Sequence, residues 1–84
     1  MDKNSLHVKI ISPERTLFEG EVESITMPGA LGEFEVLINH APLISSLSSG
    51  TVTCSGEETK QFSVLGGFVE VNHNDVTLCV ETSK

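Results

Sequence analysis

The chain has 84 residues, with 5 basic against 12 acidic side chains and a formal net charge of −7. A chain of this length is expected to form one small domain, residues 1–84, around a single compact core. The acidic balance argues against nucleic acid as a partner, because phosphate binding needs clustered Lys and Arg. Anionic lipid would also be repelled, so we expect any membrane contact to be made through another protein.

Targeting signals and cysteines point to the cytosol. No apolar run approaches the ~20 residues of a spanning helix, and the N-terminus lacks the apolar region of a signal peptide. The two cysteines, Cys54 and Cys79, have opposite strand parity, which places one inside and the other outside. We therefore predict two free thiols and no disulfide.

The first half of the chain reads as strands. Residues 6–11 alternate apolar and polar side chains, and Ser12-Pro13-Glu14 ends this first strand as a turn. Residues 16–22 form a second strand, and Ile25 and Met27 continue on the opposite parity. That slip near residues 20–24 predicts a bulge or bend of the kind that turns a chain from one sheet to another.

Residues 27–43 carry the strongest turn signals. Pro28-Gly29 predicts a reversal, because proline presets one turn position and glycine accepts the positive φ that follows. A strand follows over residues 34–38. Asn39 tolerates a left-handed conformation, and Ala41 is pushed to extended geometry by the proline after it, so residues 39–42 form a corner.

The second half predicts two hairpins. Residues 43–47 are ambiguous between helix and strand, and we expect them to be extended because five residues are too few for a stable helix. Polar turns at residues 55–58 and 72–75 each separate two alternating runs. Short strands with frequent turns predict an all-β fold, a two-sheet β-sandwich or flattened barrel of about nine or ten strands.

No catalytic or cofactor site is predicted. The histidines His7, His40 and His73 are far apart in sequence, whereas a metal site needs three or four convergent ligands. Glu33 and Glu35 share a strand face, and exposed like charges are more often solvated than catalytic. Gly66-Gly67 lacks the following helix that a phosphate loop needs, and instead predicts a bend or a close backbone approach. We expect no enzyme, no metal and no cofactor.

In order and spacing, several motifs together resemble the N-terminal β-domain of the epsilon subunit of bacterial F-type ATP synthase, called delta in mitochondria. The motifs are spread over about 70 residues of the chain, and their recurrence in this order is specific. They are Ser12-Pro13-Glu14-Arg15, Phe18-Glu19-Gly20-Glu21-Val22, Pro28-Gly29 with Gly32-Glu33, His40-Ala41-Pro42-Leu43, Gly66-Gly67-Phe68-Val69-Glu70-Val71 and Val76-Thr77.

The resemblance implies a non-catalytic rotor subunit of the central stalk, at the cytoplasmic face of the bacterial inner membrane, in an enzyme of ATP synthesis and proton transport. Two partners follow from it. The c-ring is expected to meet the loop Pro28, Gly29, Ala30, Leu31, Gly32 and Glu33. The gamma subunit is expected to meet the corner His40, Ala41, Pro42 and Leu43.

The chain departs from the family pattern in three places. Glu35 stands where a small residue is usual, and Ile38 where proline is usual, so the turn before His40 is expected to differ. The chain also stops at Lys84, where typical members continue into an α-helical hairpin, and we carry over neither inhibition nor ATP binding. The alternative left open by the residues is a stand-alone β-sandwich that binds a small molecule or a protein.

Overall fold

A computed structural model describes residues 5–82 and contains nine β-strands. They are β1 (Leu6–Ile11), β2 (Thr16–Val22), β3 (Ser24–Gly29), β4 (Gly32–Leu37), β5 (Leu43–Leu47), β6 (Gly50–Ser55), β7 (Thr59–Val64), β8 (Gly66–Asn72) and β9 (Asp75–Glu81). The all-β prediction is confirmed, and the ambiguous residues 43–47 form a strand. Within residues 5–82 there is no helix that could span a membrane.

The strands form one strongly curled sheet that divides into two layers. Its order is β2-β1-β9-β8-β5-β3-β6-β7, and β4 pairs with the free side of β3. The link between β5 and β3 is a single residue pair, Leu47 with Gly29. We call the strands on the β5 side of this link the first sheet (β2-β1-β9-β8-β5) and those on the β3 side the second sheet (β4-β3-β6-β7).

The strand pairs among residues 5–82 are antiparallel except β1 with β9, which run parallel with Val8 opposite Val76. The predicted bend after β2 is confirmed, because β2 belongs to the first sheet and β3 to the second. The chain crosses between them at Glu23, whose N–H donates to the carbonyl of Ser55 at 2.7 Å.

The core lies between the two layers and is built from the alternating apolar positions of the strands. Side chains on one face of a strand recur every second residue, and each strand sends one to three apolar side chains inward. The buried set is Leu6, Val8, Ile10, Val22, Ile25, Met27, Val36, Leu47, Val52, Cys54, Val64, Val69, Val71, Val76, Leu78 and Val80. Met27 is therefore a core residue, whereas Leu37 is exposed and Leu43 is half-buried.

The prediction that the chain reverses at Pro28-Gly29 is wrong by two residues. Both residues lie in β3, where they pair with Glu33 and Gly32, and the turn falls on Ala30 and Leu31. Gly29 is needed for a different reason from the one predicted. A Cβ atom on Gly29 would lie 2.7 Å from both the ring of Phe34 and the carbonyl oxygen of Gly32. A larger residue would therefore disrupt the packing of β3 against β4, and not the turn conformation.

Candidate functional site

The β3–β4 hairpin presents an apolar tip, and we call residues 28–33 the hairpin tip. Leu31 is the most exposed large apolar side chain of the described residues, at 104% relative exposure. Glu33 on β4 is also exposed, as is Glu35 two residues further along the same face. The tip therefore combines one fully exposed leucine with a carboxylate, an arrangement suited to contact with another macromolecule.

Backbone hydrogen bonds join the hairpin tip to β5 and to the residue that follows β5. The N–H of Ala30 donates to the carbonyl of Ser46 at 3.2 Å, and the N–H of Ser48 donates to the carbonyl of Pro28 at 2.7 Å. Proline suits position 28 because it has no N–H group that could be left without a partner. At this position β3 stops pairing with β6 and begins to pair with β5. The hairpin tip is thus attached to the body of the domain by two hydrogen bonds on its β5 side.

The second predicted surface, residues 40–43, follows the turn after β4 and ends at the first residue of β5, and we call it the corner. A turn leads into it, closed by the N–H of His40 donating to the carbonyl of Leu37 at 3.2 Å. Asn39 has φ of 68°, as predicted for a residue that tolerates the left-handed region, and the positive φ at the third position is that of a type II turn. The Nδ1–H of His40 donates to the carbonyl of Ala41 at 2.7 Å.

Side chains of the corner differ in burial. Ala41 and Pro42 are exposed, whereas Leu43 is half-buried and packs against the core. Ile44, the next residue, is turned outward with 76% relative exposure. Sequence reasoning did not single out Ile44, although its parity opposite Leu43 in β5 was the signal that could have identified it.

The structure brings the hairpin tip and the corner together. A surface groove of about 710 Å³ lies between them. Its walls include Leu31 and Glu33 from the hairpin tip and His40 and Leu43 from the corner. The two predicted surfaces therefore border one groove, although the family resemblance implied separate partners for them.

A polar cluster on the first sheet was missed by sequence reasoning. The ring of His7 lies between two carboxylates, with Nδ1 at 3.1 Å from Glu21 Oε2 and Nε2 at 3.0 Å from Glu19 Oε2. The side-chain hydrogen bond to Glu21, and then that to Glu19, raises the pKa of His7 above its usual 6.5. Ser5 also donates to Glu21 Oε1, at 2.5 Å. When the ring is protonated, both of its N–H groups can donate to carboxylates of β2.

The remaining candidate groups are the metal-binding side chains and the two thiols. Among residues 5–82, no three or more His, Cys, Asp or Glu side chains are arranged to hold a metal ion. The thiols of Cys54 and Cys79 are both free, as predicted, with Cys54 buried and Cys79 half-buried on the outer face. Burial raises the pKa of the Cys54 thiol to about 11, which makes it a poor nucleophile near neutral pH.

Comparison with known families gives a match over almost the whole chain. A family model described as the β-sandwich domain of the ATP synthase delta/epsilon chain matches residues 5–84. The chain is 44% identical over 82 residues to an ATP synthase epsilon chain of Leptospira interrogans serovar copenhageni, covering 96% of this chain but only 65% of that relative. It is 46% identical over 77 residues to the epsilon chain of Caulobacter vibrioides, covering 90% of each.

Solved structures share the fold at low sequence identity. A chain in the cryo-EM structure of the Euglena gracilis mitochondrial ATP synthase superimposes with a TM-score of 0.87 at 22% identity, over 93% of this chain and 51% of that one. A chain from the central stalk and c-ring of the Tetrahymena thermophila mitochondrial ATP synthase gives a TM-score of 0.80 at 16% identity, over 96% and 66% of the two chains.

Proposed function

This chain belongs to the ATP synthase delta/epsilon family as a β-sandwich domain, and from that we propose that it is a non-catalytic rotor subunit of the central stalk of an F-type ATP synthase. In this role it couples the c-ring to the gamma subunit during proton-driven rotation. The observation that carries the proposal is the 46% identity to the Caulobacter vibrioides epsilon chain across 90% of both chains.

We assign the c-ring contact to the hairpin tip. A coupling element must present side chains that reach its partner and must not bend under load. Leu31 is fully exposed at the end of the hairpin. The hydrogen bonds of Ala30 and Pro28 attach the hairpin tip to β5 and Ser48, so a force on Leu31 or Glu33 passes directly into β5 and the core.

We assign the gamma contact to the corner. Its exposed residues Ala41 and Pro42 lose little side-chain entropy when a partner covers them, because neither has rotamers to immobilise. Ile44 beside them supplies an exposed apolar side chain, and apolar burial is the main favourable term in most protein associations. The subunit would then sit at the cytoplasmic face of the membrane as a peripheral component, with membrane contact made only through the complex.

The first experiment is size-exclusion chromatography of this chain mixed with the purified gamma subunit of the same organism. We expect a stoichiometric complex that survives Thr51→Glu but is weakened by Ala41→Glu. Both variants add one negative charge at an exposed position, so they are matched in charge and differ in location. Separate elution of the wild-type chain and gamma would contradict the gamma assignment. Equal weakening of the complex by both variants would show that the corner is not the surface that binds gamma.

The c-ring assignment is tested in the assembled enzyme by the charge reversal Glu33→Lys, with Glu35→Lys as its control. Both side chains are exposed on the same face of β4, and only Glu33 lies within the hairpin tip. We expect an unchanged melting temperature for both, because exposed charges contribute little to stability. We also expect reduced ATP-driven proton pumping for Glu33→Lys. Pumping equal to wild type would contradict the assigned face.

A further inference from the structure

Two asparagines from distant turns form a reciprocal contact beside the corner. The backbone N–H of Asn39 donates to Asn74 Oδ1 at 2.7 Å, and Asn74 Nδ2 lies 3.5 Å from Asn39 Oδ1. The two residues are 35 positions apart in the chain. The first of these contacts has the length of a good hydrogen bond, and the second is weaker.

The contact occurs where the backbone is least constrained by strand pairing. Asn39 is the residue with φ of 68° in the turn that leads into the corner, outside both β4 and β5. Its own N–H therefore has no ladder partner, and Asn74 supplies the acceptor. Without that acceptor, the turn alone would fix the direction in which the backbone leaves β4 toward His40.

Asn74 is itself held in place by the first sheet. It lies in the turn between β8 and β9, where Asn72 pairs with Asp75. Its carbonyl accepts a hydrogen bond of 2.8 Å from the N–H of His7 at the start of β1. Asn74 is half-buried, whereas its neighbour His73 is exposed. Asn74 thus connects the parallel strands β1 and β9 of the first sheet to the turn that leads into the corner.

We propose that Asn74 is a positioning residue for partner binding: its side chain fixes the orientation of the corner without touching the partner. The inference rests on the proposed function, since it takes the corner to be the surface that gamma recognises. A preoriented surface loses less conformational entropy on binding than a mobile one, so losing the contact weakens the affinity even though no interface atom is removed.

The test compares three variants in the full chain: Asn74→Leu, Asn74→Asp and His73→Asn. Leucine has a similar size and no acceptor, aspartate keeps the oxygen that accepts from Asn39, and His73→Asn alters the same turn beside the contact. Each is measured for gamma affinity by calorimetry, for melting temperature, and for hydrogen exchange of the Asn39 amide by NMR.

We expect Asn74→Leu to weaken the Kd for gamma by about 3- to 10-fold, the range for one lost hydrogen bond, with Asn74→Asp and His73→Asn close to wild type. We also expect the Asn39 amide to exchange faster in Asn74→Leu while amides in β1 and β9 keep their rates. A purely structural role would instead speed exchange throughout and would lower the melting temperature in proportion.

The outcomes separate the two proposals. If the wild-type chain does not bind gamma, the gamma assignment fails and the inference fails with it. If the wild type binds and Asn74→Leu binds equally well, the inference alone is overturned. The same holds if Asn74→Asp loses as much affinity as Asn74→Leu, because the acceptor would then not be what matters.

Discussion

Phe18 on β2 and Phe62 on β7 hold their ring centroids 5.8 Å apart at an interplanar angle of 49°. Their strands stand at opposite ends of the pairing order, so the two rings meet where the curled sheet is not closed by hydrogen bonds. Both side chains are half-buried and pack against the core. The ring pair therefore covers one open side of the core in place of a strand.

The ring contact predicts a measurable coupling between the two strands. Tilted aromatic pairs contribute about 0.5–1.5 kcal/mol beyond the area they bury. We expect a double-mutant cycle of Phe18→Leu and Phe62→Leu to give a coupling free energy in that range. The free energy of unfolding of each variant is measured by urea unfolding. Strictly additive losses would mean that each phenylalanine stabilises its own sheet independently.

Gly67 predicts a large loss of stability on substitution. Its φ is 143°, and a Cβ atom there would lie 2.1 Å from the carbonyl oxygen of Cys79. Backbone strain and the clash together are expected to cost about 3–5 kcal/mol in Gly67→Ala, and more in Gly67→Val, as measured by chemical unfolding. Gly66→Ala is the matched control, because the nearest described atom to its Cβ would be the carbonyl oxygen of Leu47, at an ordinary contact distance of 3.5 Å. Equal losses at both positions would contradict this explanation.

The His7 cluster predicts a pH dependence of stability. The folded pKa of His7 is raised, first by its hydrogen bond to Glu21 and then by that to Glu19. Folding therefore favours the protonated ring. This contribution is fully present below the unfolded pKa of about 6.5 and is lost as the pH rises through the raised folded pKa.

The charged groups facing His7 on its neighbouring strands are Glu19 and Glu21 on β2 and Asp75 on β9. We expect the free energy of unfolding to fall as the pH rises above about 6.5, and the fall to be smaller in His7→Gln. The control is His73→Gln in the turn between β8 and β9, because none of the ion pairs formed among residues 5–82 includes His73. An identical pH profile in wild type and His7→Gln would contradict the role of the cluster. The size of the effect is limited because the ring is 41% exposed.

The two thiols are expected to differ in their reactivity toward Ellman's reagent. Cys54 is buried, so a reagent in solvent does not reach its thiol. Its pKa is raised to about 11, so the thiol also remains protonated at pH 8. We expect the Cys79→Ser variant to react with Ellman's reagent only after denaturation. Rapid reaction of that native variant would show that the β6–β7 hairpin opens away from the core.

Sequence patterns identified the strands well because alternation and burial are linked by the geometry of the sheet. Every run of alternating residues became a strand, and the parity slip after Val22 marked the crossing between layers. The misplaced reversal at Gly29 has a physical reason. Glycine serves both positive φ and close packing, and here the packing against Phe34 decided its place.

Contacts between distant turns could not be predicted. The pairing of Asn39 with Asn74 depends on which turns the topology brings together, and the alternation of single strands carries no such information. The same is true of His7 and its carboxylates. The register of β1 against β2 shifts between Ile10 and Ile11, so counting back from the turn at Ser12 would not have placed Glu21 opposite His7.

The parallel pairing of β1 with β9 has a consequence for synthesis of the protein. β9 lies between β1 and β8, so the N-terminal hairpin of β1 and β2 has no sheet to join until residues 75–81 have left the ribosome. The β3–β4 and β6–β7 hairpins are local and can form earlier, because closing a short loop costs less entropy than closing a long one. We expect the nascent chain to expose Leu6, Val8 and Ile10 until β9 has emerged, which makes this stretch a natural substrate for chaperones.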